Sequence, residues 1–157
     1  MKALVYTFEE SKWKSRVLCD DSFLYFRVLH PNVRPCIVYK VCSHSVYRYV
    51  MNTIARHWCR SVKLQQIVCD QCSYPITDVL VHSVHECVAT SVLRTSFICD
   101  IHVFGTQFLA DLLFLDGTFF FLRLLGAPIL PVLNEEENIV FLKRSFKYIH
   151  DCVKSSL

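Results

Sequence analysis

The stretch Cys69-Asp70-Gln71-Cys72, followed after nine residues by His82 and after four more by Cys87, decides how this chain is read. Zinc prefers thiolate and imidazole ligands in tetrahedral sets of four. A C-x2-C pair on a tight loop places two sulfurs on one ion, about 2.3 Å from it. The second pair must come from an element that returns to that loop. Residues 69–75 read as a tight polar loop. Thr77 or Asp78 then starts a helix through Val79, Val81, Val84 and Val88, with Phe97 as its furthest reach. His82 lies one turn into that helix. The fold class that follows is mainly α: a small helical domain with a zinc-knuckle loop of the form C-x2-C … H-x4-C. The predicted ligands are Cys69, Cys72, His82 and Cys87, and the predicted cofactor is Zn2+. Four protein ligands leave no open position for water, so the site reads as structural.

One difficulty stands against this. His82 and Cys87 are five residues apart, about 140° around a regular helix. They cannot face one ion unless the helix loosens or turns over between them. His85 is the alternative ligand, or a group that orients a ligand through its ring N–H. Two rival readings remain: unrelated buried cysteines, and a redox Cys-x-x-Cys. A redox pair usually opens a helix, whereas here residues 73–75 continue a loop.

Outward from the knuckle, residues 43–62 predict a helix. Tyr47, Val50, Met51, Ile54 and Trp58 form one apolar stripe, while Arg48, Asn52, Arg56 and Arg60 recur every fourth residue on another face. With Lys63 beyond, that face is a basic ridge able to track a phosphate backbone, or simply a solvated helix face. Further upstream, residues 14–29 carry a first apolar segment that stops at His30-Pro31, and residues 32–35 read as a turn. Downstream, Gly105 ends the helical run. Residues 108–132 are apolar enough to suggest a membrane span, but Asp111, Asp116 and Arg123 lie within them. Each intramembrane charge costs about 2.5–3.5 kcal/mol on insertion scales. Two core segments, 107–114 and 118–125, separated by Asp116-Gly117, are the preferred reading. In the last helix, Asn134 caps and Glu137 completes a capping box, and Ile139, Leu142, Phe146, Ile149 and Val153 form an internal seam. Three segments result: a basic helical one over 1–64, the knuckle and its helix over 65–104, and an apolar helical one over 105–157 that joins the second in one compact unit.

Charge divides along the same line. Residues 1–64 hold 11 Lys/Arg against 4 Asp/Glu, and residues 65–157 hold 6 against 10. The basic half invites an anionic partner such as nucleic acid. Nine cysteines, an odd number at mostly irregular spacing, do not make a disulfide scaffold. Cys19, Cys36, Cys42, Cys59, Cys99 and Cys152 are read as small buried hydrophobes. Reduced thiols and the lack of a visible signal peptide point to an intracellular chain, in cytoplasm or nucleus. Hydrophobic residues make up 53% of the chain, more than the usual ~45–50% of a soluble domain, which suggests a missing partner or a larger parent chain. Three glycines cannot build a phosphate-cradling loop, and no G-x-S-x-G elbow is present. The chain is therefore expected to be no enzyme.

The string Cys69-Asp70-Gln71-Cys72 … Asp78-Val79-Leu80-Val81-His82-Ser83-Val84-His85-Glu86-Cys87 resembles the zinc-knuckle-like segment near the C-terminal end of non-LTR retrotransposon reverse transcriptase polyproteins. There the form is C-x2-C, an acidic-apolar stretch, then H-x4-C. The neighbourhood is similar too: a basic helical stretch upstream (47–63), then an apolar region with Leu124-Leu125-Gly126 and a final helix (135–153). The resemblance implies a nucleic-acid-binding tail for RNA or DNA, as part of a larger polyprotein. Such proteins carry Tyr/Phe-x-Asp-Asp. This chain has only Cys19-Asp20-Asp21, so the resemblance implies a fragment without the polymerase domain.

Three functional readings follow. The first is a non-enzymatic, zinc-stabilised nucleic-acid-binding segment, with Arg48, Arg56, Arg60 and Lys63 on phosphates. The second is a helical protein–protein interaction module with a structural zinc. The third, disfavoured by the charges above, is a small membrane-associated protein anchored by 108–132.

Overall fold

The computed structural model describes residues 45–60, 67–127, 130 and 132–156, together with Ser11 and Ser15. Within them the chain forms α1 (Ser45–Arg60), a hairpin of β1 (Ile67–Val68) and β2 (Pro75–Ile76), α2 (Val79–Val81), α3 (Ser91–Ile101), α4 (Thr106–Leu113), α5 (Gly117–Leu124) and α6 (Glu135–Ser156). A π turn at His82–Glu86 and a 3-10 turn at Val88–Thr90 join α2 to α3, and a second 3-10 turn at His102–Phe104 leads towards α4. The fold is mainly helical. The expected segment at 14–29 (Ser15 apart), the turn at 32–35, Cys19, Cys36, Cys42 and Lys63 lie outside the described residues.

Helix α6 is the axis of the packing. Its start is fixed reciprocally: the Glu137 amide donates to Asn134 Oδ1 at 2.9 Å, and the Asn134 amide donates to Glu137 Oε2 at 2.9 Å. Glu135, Glu136 and Glu137 in its first turn suit the positive end of the helix dipole. Three-four spacing then turns Leu142, Phe146, Ile149 and Val153 inward, all buried, with Ile139 packed beside them. Against this seam lie α1, α3 and the π turn. Val50 and Ile54 of α1 are buried, which turns Arg48 and Asn52 to solvent. The side chains of Tyr47, Arg56, Trp58, Cys59 and Arg60 lie outside the described residues.

Among the described residues of 108–132 the chain forms two separate short helices, α4 and α5. Helix α4 ends at Leu113, and Asp116 starts α5: its Oδ1 accepts from the amides of Thr118 (2.9 Å) and Phe119 (3.1 Å). Each of α4 and α5 has eight residues, about 12 Å of helix against the ~30 Å of a bilayer core. Phe120, Phe121, Leu122 and Leu124 are buried in the protein. Among the described residues, no single helix is long and apolar enough to cross a membrane. Val79–Glu86 and Val88–Phe104 reach that length and composition only jointly, bent by 51°.

One cluster of buried side chains draws on every helix from α1 to α6. Phe104, Phe108 and Phe141 meet edge to face, with centroids 5.4–6.0 Å apart, and Phe97 stacks on Tyr148 at 4.4 Å. Two expectations are corrected here. The helix from Asp78 towards Phe97 is not continuous: Cys87, at φ −59° and ψ 130°, interrupts it, and α3 begins afresh at Ser91. Cys99 is exposed rather than buried, because it lies on the outer face of α3, while Cys152 is buried as expected.

Asn138 is a buried polar residue at the centre of the α6 entrance. Its Nδ2 faces the carbonyls of Leu130 (3.2 Å), Leu133 (2.8 Å) and Asn134 (2.9 Å). Removing the amide strands the buried Leu133 carbonyl, at about 1–3 kcal/mol, while the Leu130 and Asn134 carbonyls keep backbone donors. Asn138→Ala is therefore expected to destabilise the protein by at least about 1–3 kcal/mol, read as a lower urea midpoint with an unchanged slope.

Candidate metal centre

The β1–β2 hairpin exists to present a loop. Two backbone pairs, Ile67 with Ile76 and Val68 with Pro75, bring its strands together. The Cys69 amide then donates to the Tyr74 carbonyl at 2.9 Å, and the Ser73 amide to the Cys69 carbonyl at 2.7 Å. Ser73 closes the turn with φ 58°, the left-handed region. So coiled, the loop aims the amides of Gln71 and Cys72 at the Cys69 sulfur.

The other two side chains come from the turn after α2. Asp78 caps α2, accepting from the amides of Leu80 (2.9 Å) and Val81 (3.1 Å). At His82 the ladder changes step. The Cys87 amide donates to the His82 carbonyl at 2.8 Å, an i→i+5 closure in place of i→i+4. One extra residue in the turn absorbs the 140° misfit of a regular helix and sets Cys87 beside His82. The loosening that the spacing demands is thus a π turn.

Four ligand atoms, from Cys69, Cys72, His82 and Cys87, lie within 4.8 Å of one another. Cys69 Sγ is 3.9 Å from Cys87 Sγ, and Cys72 Sγ is 3.3 Å from His82 Nε2. A tetrahedral zinc with bonds near 2.3 Å to sulfur and 2.0–2.1 Å to nitrogen would hold such pairs about 3.8 and 3.5 Å apart. A disulfide would need sulfurs at about 2.05 Å, and none of Cys69, Cys72 and Cys87 is in a disulfide. The donor set of three thiols and one imidazole fits a divalent metal of the zinc type and leaves no position open for a substrate.

His82 is buried, and its other ring nitrogen, Nδ1, lies 3.4 Å from Glu86 Oε2. A carboxylate in that place orients the ring so that Nε2 faces the sulfurs. Glu86 sits four residues after His82 and was missed by sequence reasoning. The spacing H-x3-E was the available signal. His85, the alternative ligand, stands outside the group. Its ring packs on Phe120 with centroids 5.1 Å apart, and its buried Nδ1 has no hydrogen-bond partner among the described residues. Gly117 opens α5 against this ring: a Cβ there would lie 3.0 Å from Val81 Cγ1 and 3.1 Å from His85 Nδ1. Of the expected basic ridge, Arg48 is exposed on α1.

Burial pushes the Cys69 thiol up, but the amides of Gln71 and Cys72, with Cys72 and His82 themselves, outweigh it and bring the pKa down to about 6. Cys72 moves the other way: burial, the hydrogen bond with Cys69, and the charges of Cys69 and Cys87 all raise it. In metal-free protein, Cys69 is accordingly a thiolate above about pH 6, and Cys72 stays a thiol at neutral pH. Pulse alkylation with iodoacetamide, resolved by mass spectrometry, is expected to label Cys69 with a half-rise near pH 6 and to leave Cys72 unlabelled there. Saturating zinc is expected to suppress both.

No family model matches the chain, and neither the curated proteins nor the solved structures contain a significant match to it.

Proposed function

We propose that the chain is a non-enzymatic, zinc-stabilised module of a retrotransposon reverse transcriptase polyprotein, and that it binds nucleic acid. The observation that carries this reading is the convergence of Cys69, Cys72, His82 and Cys87 within 4.8 Å. Zn2+ is the proposed ion, since three thiolates and an imidazole in a closed set suit it best. Such a centre is structural: it ties the hairpin to the π turn, two elements that share little else. It needs thiols kept reduced, which supports a cytosolic or nuclear setting. Arg48 is exposed on α1, and Arg56, Arg60 and Lys63 follow it in sequence. Together they are the proposed phosphate contacts.

A second reading has its own observation. Phe114 is 90% exposed at the turn between α4 and α5, where Leu113 at the end of α4 and Phe119 in the first turn of α5 are exposed too. Apolar side chains grouped on a surface favour a protein partner. An interaction module would show concentration-dependent association and no affinity for nucleic acid.

Metal analysis of the purified protein is expected to return about one zinc per chain, lost in Cys72→Ser together with part of the helicity. Binding to single- or double-stranded probes is expected to weaken about a hundredfold between about 50 and 200 mM salt, the slope for three to four phosphate contacts. Arg48→Gln with Arg56→Gln should lower that slope by about two. Salt-independent binding, or none, would reject the nucleic-acid reading and leave the metal reading intact.

A further inference from the structure

The π turn leaves backbone carbonyls without helical partners, because the chain turns away at Cys87. Their acceptors converge on α3. The Thr90 hydroxyl lies 2.6 Å from the Ser83 carbonyl and 3.1 Å from that of Cys87. Arg94, half-buried in the first turn of α3, reaches back over the rest. Its Nη1 donates to the carbonyl of His85 at 2.5 Å and faces that of Val84 at 3.4 Å, while its Nη2 donates to the carbonyl of Cys87 at 3.2 Å. The Tyr148 hydroxyl, from α6, donates to the Val84 carbonyl as well.

We infer that Arg94 is the positioning residue of the metal centre: one guanidinium fork holds the carbonyls of Val84, His85 and Cys87 and so fixes the turn that carries Cys87 to Cys69. This rests on the metal reading above. Two physical arguments support it. A guanidinium is a planar fork with donors at fixed angles, whereas an ammonium is a flexible point charge, so only arginine bridges spaced carbonyls in this way. Moreover, three thiolates and a neutral imidazole around a dication leave a net negative charge, and Arg94 sets a permanent positive charge behind the Cys87 carbonyl.

The test uses Co2+ as the probe, with wild-type protein, Arg94→Lys and Arg94→Gln. Affinity is read by competition with a chelator, and ligation by the thiolate-to-cobalt absorption. Metal-free circular dichroism of each protein is the fold control. Both variants are expected to keep the metal-free helicity, to lose about 10–100-fold in affinity, and to show weaker thiolate absorption as Cys87 leaves the set. Wild-type affinity and spectrum in Arg94→Lys would overturn the inference, since charge without the fork would then suffice. Loss of metal-free helicity in Arg94→Lys would overturn it too, by making Arg94 a residue of the general fold. Wild-type protein that takes up no Co2+ would bring down the metal centre itself, before any variant is compared.

Discussion

The hydrogen bond from the Cys87 amide to the His82 carbonyl is the constraint on which the rest of the site depends. A regular helix would send these two side chains to different faces. The i→i+5 step stacks them, and the extended backbone of Cys87 then ends the helix outright. Everything nearby serves that step. Asp78 fixes where the helix begins, Thr90 and Arg94 satisfy the carbonyls it leaves behind, and Glu86 turns the imidazole.

The support is asymmetric. The π turn rests on the deepest part of the molecule, against α5 and α6, with Val84 fully buried. The hairpin rests on two backbone pairs and a turn. One half of the ligand set is therefore built into the core, and the other half is held mainly by local backbone geometry. Ligands placed in this way let an ion act as the strut between a rigid wall and a small loop. That is the arrangement in which binding free energy and folding free energy are hardest to separate.

What could be read from residue order alone has a physical pattern. The convergence of Cys69, Cys72, His82 and Cys87 was legible from their spacing, and the Asn134–Glu137 box and the break at Asp116-Gly117 from chemistry within a few neighbouring residues. The α6 seam was legible because its period matches the helix over about four turns. The continuity from Asp78 to Phe97 was misjudged: periodicity shows that residues favour a helix, but not where the ladder slips by one residue. Cys99 was misplaced because a lone cysteine reads as a small buried hydrophobe, whereas its helix neighbours Thr95, Ser96 and Asp100 put it on the exposed polar side of α3. Arg94 gave no signal of its own, since it acts across a chain reversal, and Glu86 offered only the H-x3-E spacing from His82, in other respects looking like any surface carboxylate. Whether Arg48 and its successors meet a phosphate is a matter of partners, which residue order does not encode.

Gly117 carries a consequence for how this chain tolerates change. It sets the start of the apolar α5 against Val81 and His85, so closely that a Cβ there would lie only 3.0–3.1 Å from their side chains. Any bulkier residue would act as a wedge, prising the phenylalanine-rich helix from the wall that bears His82 and Cys87. A lesion in the oily C-terminal half would in that way reach the cysteine–histidine cluster without altering a single ligand.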